Sequence, residues 1–181
     1  MNTAAAPRIL TFRPARTEDI GAIVALVQSS YRGESGKRGW TTESDMLDGQ
    51  RTDPAGVGEL LRKPRSIVLL AESGGALLAC ANVEKLDEST AYFGLFAVRP
   101  DTQNGGVGRA VMAEAERIAR EDFICARMEM TVISIRDELI AWYERRGYRR
   151  TGQYSPFPYG DARFGIPRRD DLRFETLVKT L

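Results

Sequence analysis

The chain contains no histidine among its 181 residues. That absence removes Ser-His-Asp and Cys-His catalysis and the commonest zinc ligand. There are two cysteines, Cys80 and Cys125, and they lack metal-site spacing, so no metal centre is expected. Both sit in apolar, strand-like segments and read as buried free thiols of a reducing cytoplasm. Long apolar runs are lacking too. Ile67–Ala71 and Ala76–Ala81 are too short to span a bilayer, and Met1–Pro7 has no apolar signal-peptide centre. A cytoplasmic protein without membrane contact is the expectation. Nor is there an excess of charge: 26 Lys and Arg face 25 Asp and Glu, a net charge of +1, so no long-range pull toward nucleic acid is expected. Acid–base chemistry must therefore come from carboxylates, tyrosine, lysine, cysteine, backbone or water.

What is present is patterned as one domain over residues 8–181, behind a short flexible N-terminus, 1–7. Ile9–Arg13 reads as an opening strand. Thr17 resembles an N-cap with Glu18 and Asp19 in the first turn, and Ile20, Ile23, Val24 and Val27 follow helical spacing as far as about Tyr31. Residues 32–52 are glycine-rich and polar and read as an irregular loop with a short helix; a second helix covers Ala55–Arg62. Strands follow at Ser66–Glu72 and Leu77–Leu86, joined by Gly74-Gly75, and at Tyr92–Val98. A helix to about Arg120, a strand at Arg127–Ile133, a helix at Asp137–Arg146 and strands at Tyr148–Tyr154 and Leu172–Lys179 complete the order. That order predicts an α/β chain, with a mixed sheet and helices on both faces.

The most informative stretch is Val98 to Val111, where a strand runs into a glycine-rich turn that opens a helix. Such a turn leaves backbone N–H groups unpaired at the positive end of the helix dipole, a ready phosphate site. A Walker loop would need Gly-Lys-Ser/Thr, but Gly108 is followed by Arg109-Ala110. A dinucleotide fingerprint would need a third small residue where Val111 stands, although Glu129 lies at a ribose-acid distance. A plain turn without a ligand is the remaining alternative, since glycine also serves ordinary turns.

The spacing Gln103-x-x-Gly106-x-Gly108 resembles the coenzyme A signature of the GNAT N-acetyltransferase family. Arg13-Pro14-Ala15 before the first helix is similar to that family's opening. Leu139–Tyr148, with Tyr143 ahead of a charged turn and Gly147-Tyr148, resembles its later segment. The resemblance implies a GNAT acyl-CoA N-acyltransferase fold whose sheet is mixed but mostly antiparallel. It implies an enzyme that carries the acetyl group of acetyl-CoA, through a tetrahedral adduct, to a primary amine of a small molecule or a peptide. Phe96, Ala97 and Val98 would then pair with the pantetheine arm, between strands Tyr92–Val98 and Arg127–Ile133 that splay apart. The turn Gln103, Asn104, Gly105, Gly106, Val107, Gly108 and Arg109 would cradle the pyrophosphate. Tyr143 would protonate the departing thiolate, with a core tyrosine as the bland alternative. One departure stands out: Arg136 replaces the Asn that many relatives carry seven residues before the tyrosine, so it would reach a coenzyme A phosphate or cap the helix start with Asp137.

An alkylamine has a pKa near 10.4, so only about one molecule in a thousand is neutral at pH 7 and some group must accept its proton. Glu84, which interrupts an apolar strand, is the leading base, ahead of Glu34 and Glu43; a solvated strand-end carboxylate or a water chain are the alternatives. Tyr31, Trp40 and Glu43 in the first helical loop, with Phe157 in the Pro-rich segment Tyr154–Tyr159, would wall a compact acceptor pocket of acidic and aromatic character. The relatives often dimerise, so a homodimer is an open expectation. A second class of function is a non-catalytic acyl-CoA-binding regulatory domain, which could keep Tyr143 for packing.

Overall fold

The computed structural model describes residues 9–32 and 36–181; the expected N-terminus 1–7 and Glu34 lie outside them. Nine strands are found there: β1 (Thr11–Pro14), β2 (Leu47–Asp48), β3 (Ser66–Ser73), β4 (Ala76–Lys85), β5 (Thr90–Val98), β6 (Arg127–Ile133), β7 (Arg149–Pro156), β8 (Ile166–Pro167) and β9 (Arg173–Thr180). The α-helices are α1 (Ile20–Tyr31), α2 (Pro54–Arg62), α3 (Val107–Arg117) and α4 (Asp137–Glu144). Strands β2 and β8 pair only with each other. The other seven form a single sheet in the order β1-β3-β4-β5-β6-β9-β7.

Within that sheet only β5 and β6 run parallel. Their pairing stops after three residue pairs, Thr90↔Arg127, Ala91↔Met128 and Tyr92↔Glu129. Both strands continue well beyond that point, so they part and leave a gap in the sheet. A bulge on the other side of β5 marks the same place. Register against β4 slips between Cys80 and Asn82, and Leu95 takes a left-handed φ of 45°. A non-glycine residue pays roughly 1–2 kcal/mol for that conformation. The expected irregularity of the fold is therefore found at the expected strands.

Helices cover both faces. On one, α1 and α2 bury Ile23, Leu26, Val27 and Val57 against Val68, Leu70 and Cys80. On the other, α3 and α4 bury Val107, Val111, Met112 and Ile140 against Ala79, Val83 and Met128. Full burial of an aliphatic side chain is worth about 1.5–3 kcal/mol, so these two layers dominate the stability. A small third cluster joins Leu47, Ile133, Phe157 and Leu172. Gly74 and Gly75 adopt φ of 57° and 79°, as a tight hairpin between β3 and β4 demands. Thr17 does not cap α1. It opens a short 3-10 turn, Thr17–Asp19, and Asp19 accepts the Arg16 N–H at 2.8 Å while Arg13 grips the same carboxylate. Both cysteines are free and buried. Among the described residues no helix is long and apolar enough to cross a membrane.

Candidate active site

The glycine turn is built as a short 3-10 segment, Pro100–Gly105, followed by Gly106 in the left-handed region at φ 79°. Gly106 is the N-cap of α3, and only glycine reaches that φ without strain. Intrahelical bonding begins with Ala110 N–H to Gly106 O at 3.1 Å, so the amides of Val107, Gly108 and Arg109 have no intrahelical acceptor. Gly108 is needed for close approach: a Cβ there would stand 3.3 Å from Phe96 Cζ and 3.5 Å from Val98 Cγ2.

These groups open onto a cavity of about 660 Å³. Phe96 and Val98 of β5, with Gln103, Asn104, Gly106, Gly108 and Arg109 of the turn, form one side. Tyr143, Trp142, Arg145 and Arg146 of α4 and the turn after it form another. Tyr31, Trp40 and Thr41 reach it from the α1 side. Residues from opposite faces of the sheet share this space because β5 and β6 have parted. Ala97 and Val107 are buried in the cores and, with Gly105, do not line it, so they can contribute backbone groups at most.

Each wall is braced. Gln103 ties the turn to the first loop: its Oε1 accepts Trp40 N–H at 3.1 Å, and its Nε2 donates to Thr41 Oγ1 at 2.9 Å and to Val98 O at 3.2 Å. Ser30 Oγ also donates to Val98 O, and the Tyr31 hydroxyl donates to Phe96 O. The carbonyls of β5 beyond the gap are thus partly claimed by side chains. Trp40 and Trp142 face each other at 6.0 Å between centroids, so Trp40 belongs to the cavity wall.

On the cationic side Arg109 was expected from the sequence, while Arg145 and Arg146 were not. Arg146 lies over the Trp142 ring at 3.4 Å and donates to Trp142 O at 2.7 Å, yet its Nε is buried without a partner. Burial, followed by the charges of Arg145 and Arg109, lowers its pKa. Neither of those two has an ion-pair partner among the described residues. A multiply charged anion in the cavity would relieve this repulsion. The residues therefore fit a phosphate-bearing group.

The Tyr143 hydroxyl makes no hydrogen bond to any described residue, and the side chain lines the cavity. Trp142 and Tyr148 pack edge-on against its ring, at 5.2 and 6.0 Å. Burial pushes its pKa well above the ordinary phenol value, so it stays protonated. The Tyr31 phenol is pushed up to about 12 by the same cause.

Three expected residues stand elsewhere. Glu84 faces Lys63 at 2.7 Å on the β4 side of the sheet and does not line the cavity. Phe157 is buried in the third cluster, 5.5 Å from the Phe174 ring, because the Pro-rich loop folds it back under β9 instead of presenting it to an acceptor. Glu43 is buried among guanidinium groups. It pairs with Arg32, with Arg136 at 3.1 Å and with Arg51 at 3.5 Å. Burial alone would raise its pKa, but the charges of Arg51, Arg136 and Arg32 together hold it below the ordinary range. Arg136 stands at the N-cap of α4 without a side-chain cap bond; its guanidinium donates to Glu43 and Thr41 O and does not turn to the phosphate side.

A family model described as the acetyltransferase (GNAT) family matches residues 23–148. A search of curated proteins by sequence gave no match. Among solved structures the chain is similar to Ard1 from Thermoplasma volcanium (20% identity, TM-score 0.69, covering 95% of this chain and 97% of that one). It is similar also to a ribosomal-protein-alanine N-acetyltransferase from Brucella melitensis (17%, TM-score 0.67, 94% and 99%). An N-acetylglutamate synthase from Neisseria gonorrhoeae, complexed with coenzyme A and N-acetyl-glutamate, matches at 18% and TM-score 0.64, over 96% of this chain and 35% of that one. At such identities the structures establish the fold. With the family match over most of its length, the chain belongs to the GNAT acetyltransferase family.

Proposed function

We propose that the chain is an acetyl-CoA-dependent N-acetyltransferase acting on a primary amine of a small molecule. The observation that carries this reading is that one cavity, at the end of β5 that has parted from β6, joins the Gly106–Gly108 turn to the Tyr143 phenol. Free amides at the start of α3 would hold the pyrophosphate, helped by the cations of Arg109, Arg145 and Arg146. The arm of the carrier would then lie along Phe96 and Val98, with its thioester near Tyr143.

The chemistry asks two things of the protein. A proton must reach the departing thiolate, and Tyr143, kept neutral by burial, can donate it. A proton must also leave the amine. Glu84 is held by Lys63 and Glu43 by arginines, so we assign this step to water in the gap, with no side-chain base in direct contact.

Calorimetry with acetyl-CoA, followed by a thiol-release screen over an amine panel, tests the reading. Binding with turnover supports it. Binding without turnover of any amine would favour the regulatory acyl-CoA-binding domain instead, and no binding at millimolar acetyl-CoA would remove both.

A further inference from the structure

The acceptor side of the gap carries an unexpected charge. The loop after α1 was expected to offer an acidic wall, and its only buried carboxylate, among the described residues, is Glu43. That single negative charge meets three guanidiniums, those of Arg32, Arg51 and Arg136. Arg32 holds Glu43 from the side of a second, polar hollow, where Asp48 also stands. Arg136 is fully engaged, between Glu43 and Thr41 O. Arg51 is different. Its Nε approaches Glu43 at 3.5 Å, and its guanidinium lies 5.3 Å from the centre of the Tyr31 ring. Neither of its terminal nitrogens hydrogen-bonds a described residue, and 35% of its side chain is open to solvent.

Its position is what gives this fork a use. The guanidinium of Arg51 is seated against the Tyr31 ring. Tyr31 and Tyr143 line the cofactor cavity, and Tyr92 spans the gap by a 2.8 Å hydrogen bond to Thr131. Tyr92 is steered there by Gly94, where a Cβ would fall 2.8 Å from its ring. Arg51 does not line the cofactor cavity itself; it stands directly behind its wall, against the Tyr31 ring. A planar guanidinium with both terminal nitrogens free matches a carboxylate in bidentate fashion, whereas a protonated amine without an anion would be repelled by it.

Resting on the acetyltransferase reading, we propose that the acceptor is a small amine that also carries a carboxylate, bound by Arg51, with Glu43 and Arg136 as positioning residues that fix the guanidinium. The amine then lies toward Tyr143 and the carboxylate toward the α1 loop. The carboxylate supplies the negative charge that the arginine cluster lacks.

The test pairs amino acids with their own carboxamides and decarboxylated amines, titrated calorimetrically into protein saturated with coenzyme A. The acids are expected to bind and the two derivatives to bind at least about 10-fold more weakly. Arg51→Gln should erase that preference by weakening the acids about 10- to 100-fold, and Arg51→Lys should restore only part of it. In both variants the acetyl-CoA affinity should match the wild type, which shows that the protein remains folded. Equal or tighter binding of the uncharged derivatives would overturn the proposal, as would a preference for acids that survives in Arg51→Gln. Turnover is read separately with acetyl-CoA: a protein that binds the acids selectively but acetylates none keeps this inference and loses the enzymatic one.

Discussion

Arg136 at the start of α4 donates to Glu43 in the loop after α1 across 3.1 Å of space and 93 residues of sequence. The bond joins the helix that carries Tyr143 to the loop that carries Trp40 and Thr41. Two cavity walls are thereby locked together. Replacing Glu43 by Gln would leave three guanidiniums crowded around a neutral group, and breaking a buried pair of this kind costs about 3–5 kcal/mol. Chemical denaturation of Glu43→Gln should read that loss at pH 7. The sign with pH follows from the depressed folded pKa. The stabilisation is fully present above the unfolded value of about 4.5 and fades as pH falls below it through the folded value. The gap between wild type and variant should therefore narrow only below about pH 4.5. A gap that closes near neutrality would contradict the assignment.

Tyr143→Phe isolates the proton donor. The ring keeps its contacts with Trp142 and Tyr148, so packing and acetyl-CoA affinity should stay near wild type. Turnover should fall about 100-fold, the low end of what a general acid contributes. Because burial raises the phenol pKa, the wild-type rate should also show no alkaline fall from this group up to about pH 10, and should rise with pH as the acceptor amine loses its proton. Unchanged turnover in the variant would leave Tyr143 as a packing residue.

What could be read in advance was local. The glycine turn that opens α3 after β5 and the Gly74-Gly75 hairpin each follow from turn chemistry within a few residues. Hydrophobic periodicity placed the helices and the strands of the main sheet to within about three residues at their ends. Pairings between distant residues were hidden. Arg136 was read against its sequence neighbours, while its partners, Glu43 and Thr41, lie more than ninety residues earlier. Phe157 looked like a pocket edge because nothing in a Pro-rich loop tells which apolar cluster an aromatic ring will join. Thr17 lost the cap of α1 for the same reason, since Arg13 and Glu72 of the neighbouring strand organise Asp19 and its surroundings instead. The short pair β2–β8 gave no signal, as two residues are too few for any period.

Glu84→Gln separates the base from the water path. Lys63 is 52% exposed, so the ion pair contributes only about 0–1 kcal/mol, and the variant should fold with nearly unchanged stability. Turnover at saturating amine should stay within about twofold of wild type at pH 7, because general-base catalysis lost outright would cost about 100-fold or more. A drop of that larger size, with the cofactor affinity retained, would return the proton to Glu84.

Arg146 offers a test in which stability and binding move in opposite directions. Its Nε is buried without an acceptor, and its charge is pressed by Arg145 and Arg109. An unsatisfied buried donor costs about 1–3 kcal/mol, so Arg146→Met should leave the free protein as stable as wild type or more so. The same change removes a cation from the cavity wall, so acetyl-CoA should bind about 10-fold more weakly, and its affinity should depend less on salt. If Arg146 served only to brace Trp142 through the 2.7 Å bond to its carbonyl, the variant would instead lose stability in the free state and bind the cofactor with wild-type salt dependence. Thermal denaturation with and without acetyl-CoA, at two ionic strengths, decides between the two roles.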